Sequence, residues 1–127
     1  MLSRLSSVQQ LNVKIASFSA VIQIGDSTFV NSFSRALAVQ REEEIFFGTE
    51  GSFDAYSIFS EEIPFTPIKE NILMYRHNLN PVIKVSSIDL IGVTAASVLH
   101  IGNTCHVQLE ARVKHIRQLK KDAEKLL

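Results

Sequence analysis

The chain has 127 residues, 46% of them apolar, with 13 basic and 13 acidic side chains that cancel to a formal charge of +0. That length suits one domain with a real core. The composition lies outside the disordered class, and the balanced charge gives no electrostatic case for nucleic acid or anionic lipid. Cys105 is the only cysteine, so no internal disulfide is possible, and no apolar run approaches the roughly 20 residues that span a bilayer.

The first ten residues, MLSRLSSVQQ, hold one arginine and then turn polar. They contain no continuous apolar stretch of the secretory type, so neither a signal peptide nor a membrane anchor is expected, and 1–10 read as a loose end. The text then changes to strand language, with short Val-, Ile-, Phe- and Ser-rich stretches punctuated by glycine and proline. Residues 21–30 read VIQIGDSTFV, and residues 98–107 read VLHIGNTCHV. Gly25-Asp26 and Gly102-Asn103 suit a two-residue type II′ turn, with glycine at the position of positive φ. Each phrase therefore predicts a β-hairpin. In the first, Ile22, Ile24 and Phe29 share a face expected to be buried; in the second, Leu99, Ile101 and His106 occupy it. The likeness continues at a constant offset, with Arg35 matching Arg112, Ala36 Val113, Val39 Ile116, Ser17 Thr94 and Ala20 Ser97. Residues 13–40 and 90–117 read as two related β units.

Between them, Arg41 to Glu44 reads as a charged connector. Ile45 to Phe47, a turn at 48–51 and the segment Ser52 to Ser60 suggest another hairpin. Pro64 and Pro67 take the chain out of the sheet, because proline cannot donate to a central ladder. Ile72 to His77 reads as a strand, Asn78 to Pro81 as a turn, and Val82 to Val85 as the start of the next strand. Glu110 to Ile116 fits strand or helix, and the internal match favours strand. From about 117, Leu119, Ala123 and Leu126 fall at helical spacing among lysines, which predicts a short terminal helix. The fold class is therefore mainly β: a single β-rich domain over 1–127, built from antiparallel hairpins as a small sandwich or barrel-like sheet, with a C-terminal helix.

The hairpin register would set His100 and Cys105 opposite each other, and a histidine beside a thiol can generate a nucleophile. No Gly-rich oxyanion loop or third orienting group accompanies them, and the first unit carries only Gln23 and Thr28 at these positions. Two plain polar positions are the preferred reading. The exposed-thiol variant, an intermolecular disulfide through Cys105, requires an oxidising setting. His77, His100, His106 and His115 lack the spacing of a metal site. The carboxylates Glu42–Glu44 and Glu61–Glu62 are sequence neighbours that strands point apart. No phosphate-binding glycine motif occurs. Without a basic groove, Phe46, Phe47, Phe53, Tyr56, Phe59 and Phe65 are better placed in a core or an interface than against bases. No catalytic, cofactor-binding or metal residue is assigned, and no cofactor is expected.

Three stretches carry a resemblance: VIQIGDSTFVNSFSRALAVQREE, FFGTEGSFDAYSIFSEEIPFTP and VTAASVLHIGNTCHVQLEARVKHIRQ. They resemble the GerPE family of spore germination proteins from Bacillus-type spore formers, over about residues 8–118. The most specific part is Ser34 to Glu42, followed at the appropriate spacing by EGxF and IFSEEIPxxP. The resemblance implies a non-enzymatic spore coat protein, made in the mother cell, that helps nutrient germinants pass the coat to receptors at the inner membrane. It implies partners among the other gerP-operon proteins or further copies of the chain, with no nucleic acid and no membrane insertion.

Overall fold

A computed structural model of the chain describes residues 4–43, 48, 50–67, 69–75 and 77–119. The described residues contain six strands: β1 (Leu5–Ala16), β2 (Val21–Ile24), β3 (Phe29–Arg41), β4 (Val82–Val93), β5 (Val98–Ile101) and β6 (His106–Gln118). Single turns of 3-10 helix occupy Phe53–Ala55 and Ser57–Phe59. The described residues fall into two compact units. One draws on Met1–Ser34 and Phe65–Ala111, the other on Arg35–Pro64 and Arg112–Leu127.

The two sequence repeats do not each fold back on themselves. β1 pairs with β4, β2 with β5 and β3 with β6, in three two-stranded sheets. In the first sheet Leu5 lies opposite Val82 and Ala16 opposite Val93, running parallel. In the second, Val21 to Ile24 lie opposite Val98 to Ile101, again parallel. Side-chain bonds mark the same separation of 77 residues: Asn12 to Asp89 and Ser17 to Thr94. The Glu42 N–H bonds the Gln118 carbonyl at 3.2 Å, the relation in which the Leu5 N–H stands to the Pro81 carbonyl at 2.8 Å. The third pair is therefore parallel at that offset too. The spacing read as a repeat is the register of the sheets.

The antiparallel hairpins are accordingly replaced by corners. Gly25 and Gly102 do have positive φ, 111° and 149°, as the turn chemistry required. But the backbone at the tip bonds across to the other repeat: Gly25 N–H to the Ile101 carbonyl and Ser27 N–H to the Asn103 carbonyl, both 2.8 Å. Those groups are then unavailable for closure of β2 on β3. A second corner repeats in the same way. Phe18 and Ser19 have φ of 51° and 59°, and Ala95 and Ala96 have 56° and 58°. Such left-handed conformations cost non-glycine residues about 1–2 kcal/mol each. Here both corners are tied together, with Ala96 N–H on the Phe18 carbonyl at 2.9 Å.

Burial follows from this edge-to-edge arrangement, which leaves both faces of a two-stranded sheet open. The face expected to be buried is exposed in the first repeat, where Ile22, Ile24 and Phe29 show 40%, 46% and 54% of their surface. Its counterpart Ile101 is buried, as are Val30, Val93 and Ala96. Along β3 the small side chains face inward, with Ser32 and Ser34 buried beside Val30 while Phe29 and Phe33 face out.

β4 starts at Val82 as read, and Glu110 to Ile116 lie within β6. β1 begins at Leu5, inside the stretch taken as a loose end. Residues 72–75 and 77 form no strand, since an apolar run without a partner strand has nowhere to place its backbone bonds. Ser52 to Ser60 is not a hairpin but the two 3-10 turns, whose three-residue period aligns Phe53, Tyr56 and Phe59. Arg117 and Gln118 end β6 instead of opening a helix; the rest of the expected helix, from 120, and Ile45 to Phe47 lie outside the described residues.

The corner makes a sharp prediction. A Cβ on Gly102 would overlap the carbonyl of Gly25, whereas one on Gly25 meets nothing within 4 Å. Gly25→Ala should lose about 1–3 kcal/mol through its φ alone, and Gly102→Ala should lose more. Chemical denaturation of the two variants measures the order.

Candidate functional site

The polar side chains that converge most closely lie at the paired Gly25 and Gly102 corners. Asp26 Oδ1 accepts the Asn103 backbone N–H at 2.9 Å, and its Oδ2 accepts the Arg4 backbone N–H at 3.3 Å. The Arg4 guanidinium donates to Asn103 Oδ1 at 2.8 Å. The Ser6 hydroxyl donates to the Ile101 carbonyl at 2.9 Å. Turn chemistry singles out Asp26 and Asn103 in the sequence, but Arg4 carries no signal there, because its role depends on β1 passing beside the corner. The Asn103 N–H, followed by the Arg4 N–H and the nearby guanidinium, holds the Asp26 carboxyl below its ordinary range. This is a clamp between repeats, with each Asp26 carboxylate oxygen accepting one backbone N–H.

The structure does not bring His100 and Cys105 together as a pair. His100 lies in β5, and its Nε2 is 2.9 Å from the Gly25 carbonyl. Cys105 follows the corner, exposed, with its backbone N–H on the Thr28 carbonyl at 3.2 Å. The hairpin register that would have opposed them is absent. Cys105 instead lines an open recess with Phe29, Phe65, Thr66, His106 and Val107. The Phe29 and His106 rings lie 6.2 Å apart there. Among the described residues no group of three or more His, Cys, Asp or Glu side chains could hold a metal ion.

The other unit gathers different stretches. Phe53 and Phe59 meet edge to face with centroids 4.9 Å apart, and Tyr56 packs on Phe59 at 6.5 Å. Arg35 lies over the Phe53 ring at 4.8 Å, and Lys114 over Tyr56 at 5.8 Å. Arg112 donates to the Ile58 carbonyl at 2.8 Å. Arg41 pairs with Glu50, whose other carboxylate oxygen accepts from Gln118 at 3.1 Å. The segments 35–42 and 50–59 thus form one packed cluster, and Phe59 is its buried member.

A family model described as spore germination protein GerPE matches residues 5–125. The chain belongs to the GerPE family. A Bacillus cereus relative described as a probable spore germination protein GerPE is 35% identical over 123 residues, covering 93% of each chain. No solved structure matches. Two stretches that carry the GerPE resemblance, Ser34 to Glu42 and the EGxF segment, meet through Arg35 on Phe53 and Arg41 on Glu50. No helix among the described residues is long and apolar enough to cross a membrane.

Two outcomes test these assignments. Phe59→Ala should destabilise the chain by about 3 kcal/mol, while Arg35→Ala, which removes an exposed cation–π contact, should cost under about 1 kcal/mol; thermal unfolding reads both. Because the folded Asp26 pKa is depressed, the clamp contributes fully above about pH 4 and is lost as pH falls through the lower folded value. Asp26→Asn should therefore flatten the acid limb of a plot of melting temperature against pH.

Proposed function

We propose that this chain is a non-enzymatic component of the spore coat, needed for nutrient germinants to pass through the coat to germinant receptors at the inner membrane. It acts by assembling with itself or with other gerP-operon proteins. The observation that carries this reading is the family match across nearly the whole chain, which implies a role in spore germination. Three features support the finer statement. The polar cluster at Arg4, Asp26 and Asn103 ties the two repeats together. Each strand has one sheet neighbour among the described residues, so strand edges are free to take partners. Large apolar side chains such as Leu5, Ile15, Phe29 and Ile91 stand more than half exposed, which suits a surface that is covered in an assembly.

The open edges also favour a broader reading, a β-rich structural subunit that assembles without operon partners. A homo-oligomer of defined size, formed by the purified chain alone and with no effect on germination, would select it. The thiol hydrolase reading is tested by Cys105→Ser, for which unchanged germination rejects it.

The proposed role predicts that spores lacking the gene respond slowly to nutrient germinants while the coat is intact and recover their normal response once the coat is stripped. Germination kinetics on intact and decoated spores measure this. Normal kinetics in both states would overturn the proposal.

A further inference from the structure

From the pairing of the two repeats we infer that molecules of this chain stack head to tail. The outer edge of β4 and β5 of one molecule takes the outer edge of β1 and β2 of the next, parallel, at the register that already joins the repeats. This inference rests on the assembly reading above and names its geometry and partner: a second copy of the chain.

The backbone sets the edges. Leu5, Ser17, Val21 and Gly25 send their N–H groups to Pro81, Val93, Ser97 and Ile101 of the second repeat. All are odd-numbered, and successive strand residues direct their polar groups to opposite edges. The even-numbered residues of β1 and β2, such as Val8, Gln10 and Asn12, therefore present N–H and C=O to the free edge. By the same parity the carbonyls of Pro81, Val93, Ser97 and Ile101 face the first repeat, so the even-numbered Lys84, Ser86 and Ile88 of β4 offer a matching ladder on the other side. A parallel strand pair at the same offset joins these two free edges with every donor facing an acceptor.

Side chains agree with that register. The pairs it would recreate between molecules are those already in contact within one: Val8 with Val85, Leu11 with Ile88, Val13 with Leu90 and Ile22 with Leu99. None of the register pairs of these two sheets sets like charges together, and Asn12 with Asp89 is a hydrogen bond of 3.1 Å. Two-stranded sheets are marginal by themselves, and a third strand supplies the stability they lack. An end-to-end contact of this kind does not close, so it extends into a filament.

The test uses full-length chain carrying Cys105→Ser, with Asn12→Cys in one preparation and Asp89→Cys in another of different tag length. Under mild oxidation the stacked register gives disulfide-linked species in the mixture and a loss of that product in either preparation alone. Gln10→Pro removes only an N–H that faces the free edge, so it should abolish the cross-link and leave the circular dichroism unchanged. No cross-link in the mixture, or equal cross-linking within each preparation, overturns the stack. A monomeric chain that binds another gerP-operon product overturns it as well. The germination assay on intact and decoated spores reports separately on the role itself.

Discussion

The parallel register between the two repeats is the constraint on which the rest of the structure depends. It fixes which backbone groups are satisfied, where the corners fall and which side chains meet. It is also demanding to form. Pairing residues 77 apart closes a long loop, at an entropic cost of about 4 kcal/mol before any bond forms. Parallel strands cannot be joined by a tight turn, so the 42–81 connection must be traversed first. Such non-local pairing makes for slow folding. The corners compensate by acting as stitches: Gly25, Ser27 and Phe18 each bond the other repeat's backbone at or next to the equivalent position.

An in-register parallel repeat imposes a further rule, because equivalent residues lie side by side. If the repeats were identical, every charge would sit beside its like, which destabilises a sheet. The sequence departs from identity at just such places. Asp26 meets Asn103, whose N–H it accepts, and Asn12 meets Asp89. Gln23 is matched by His100, which reaches back to the Gly25 carbonyl. Arg35 and Arg112 are the one equivalent pair that keeps a like charge, and they are drawn to different partners, the Phe53 ring and the Ile58 carbonyl. Divergence between the repeats is thus part of how they fit.

These relations explain what could be read from the chain and what could not. The offset between VIQIGDSTFV and VLHIGNTCHV was legible, and so was the positive φ of its glycines. The partner of each strand was not. Alternation with period two is common to parallel and antiparallel strands, and a Gly-Asp pair serves a corner as well as a hairpin. The corner at Phe18, Ser19, Ala95 and Ala96 carries no glycine or asparagine to announce it, since its strain is offset by bonds between distant segments. The Phe53–Phe59 turns were hidden because their aromatic spacing only approximates an alternating strand. His100 and Cys105 looked like a pair solely through the hairpin, and the loss of that local closure separates their roles.

The same geometry bears on how apolar and charged side chains are distributed along the strands of this GerPE-family chain. Where cohesion comes from backbone bonds between repeats, the side chains on the sheet faces are left free of core duty. Ile15, Phe29 and Ile91 remain outward although they lie in strands. Such a surface is tolerated only if something shields it or if charged residues interrupt it, as Lys14 and Lys84 do along β1 and β4. Shielding by further strands and interruption by lysine act in opposite directions on association. Their balance sets how readily such edges take a further strand. The properties that decide between the two are edge register and surface pattern, which are spread over many residues.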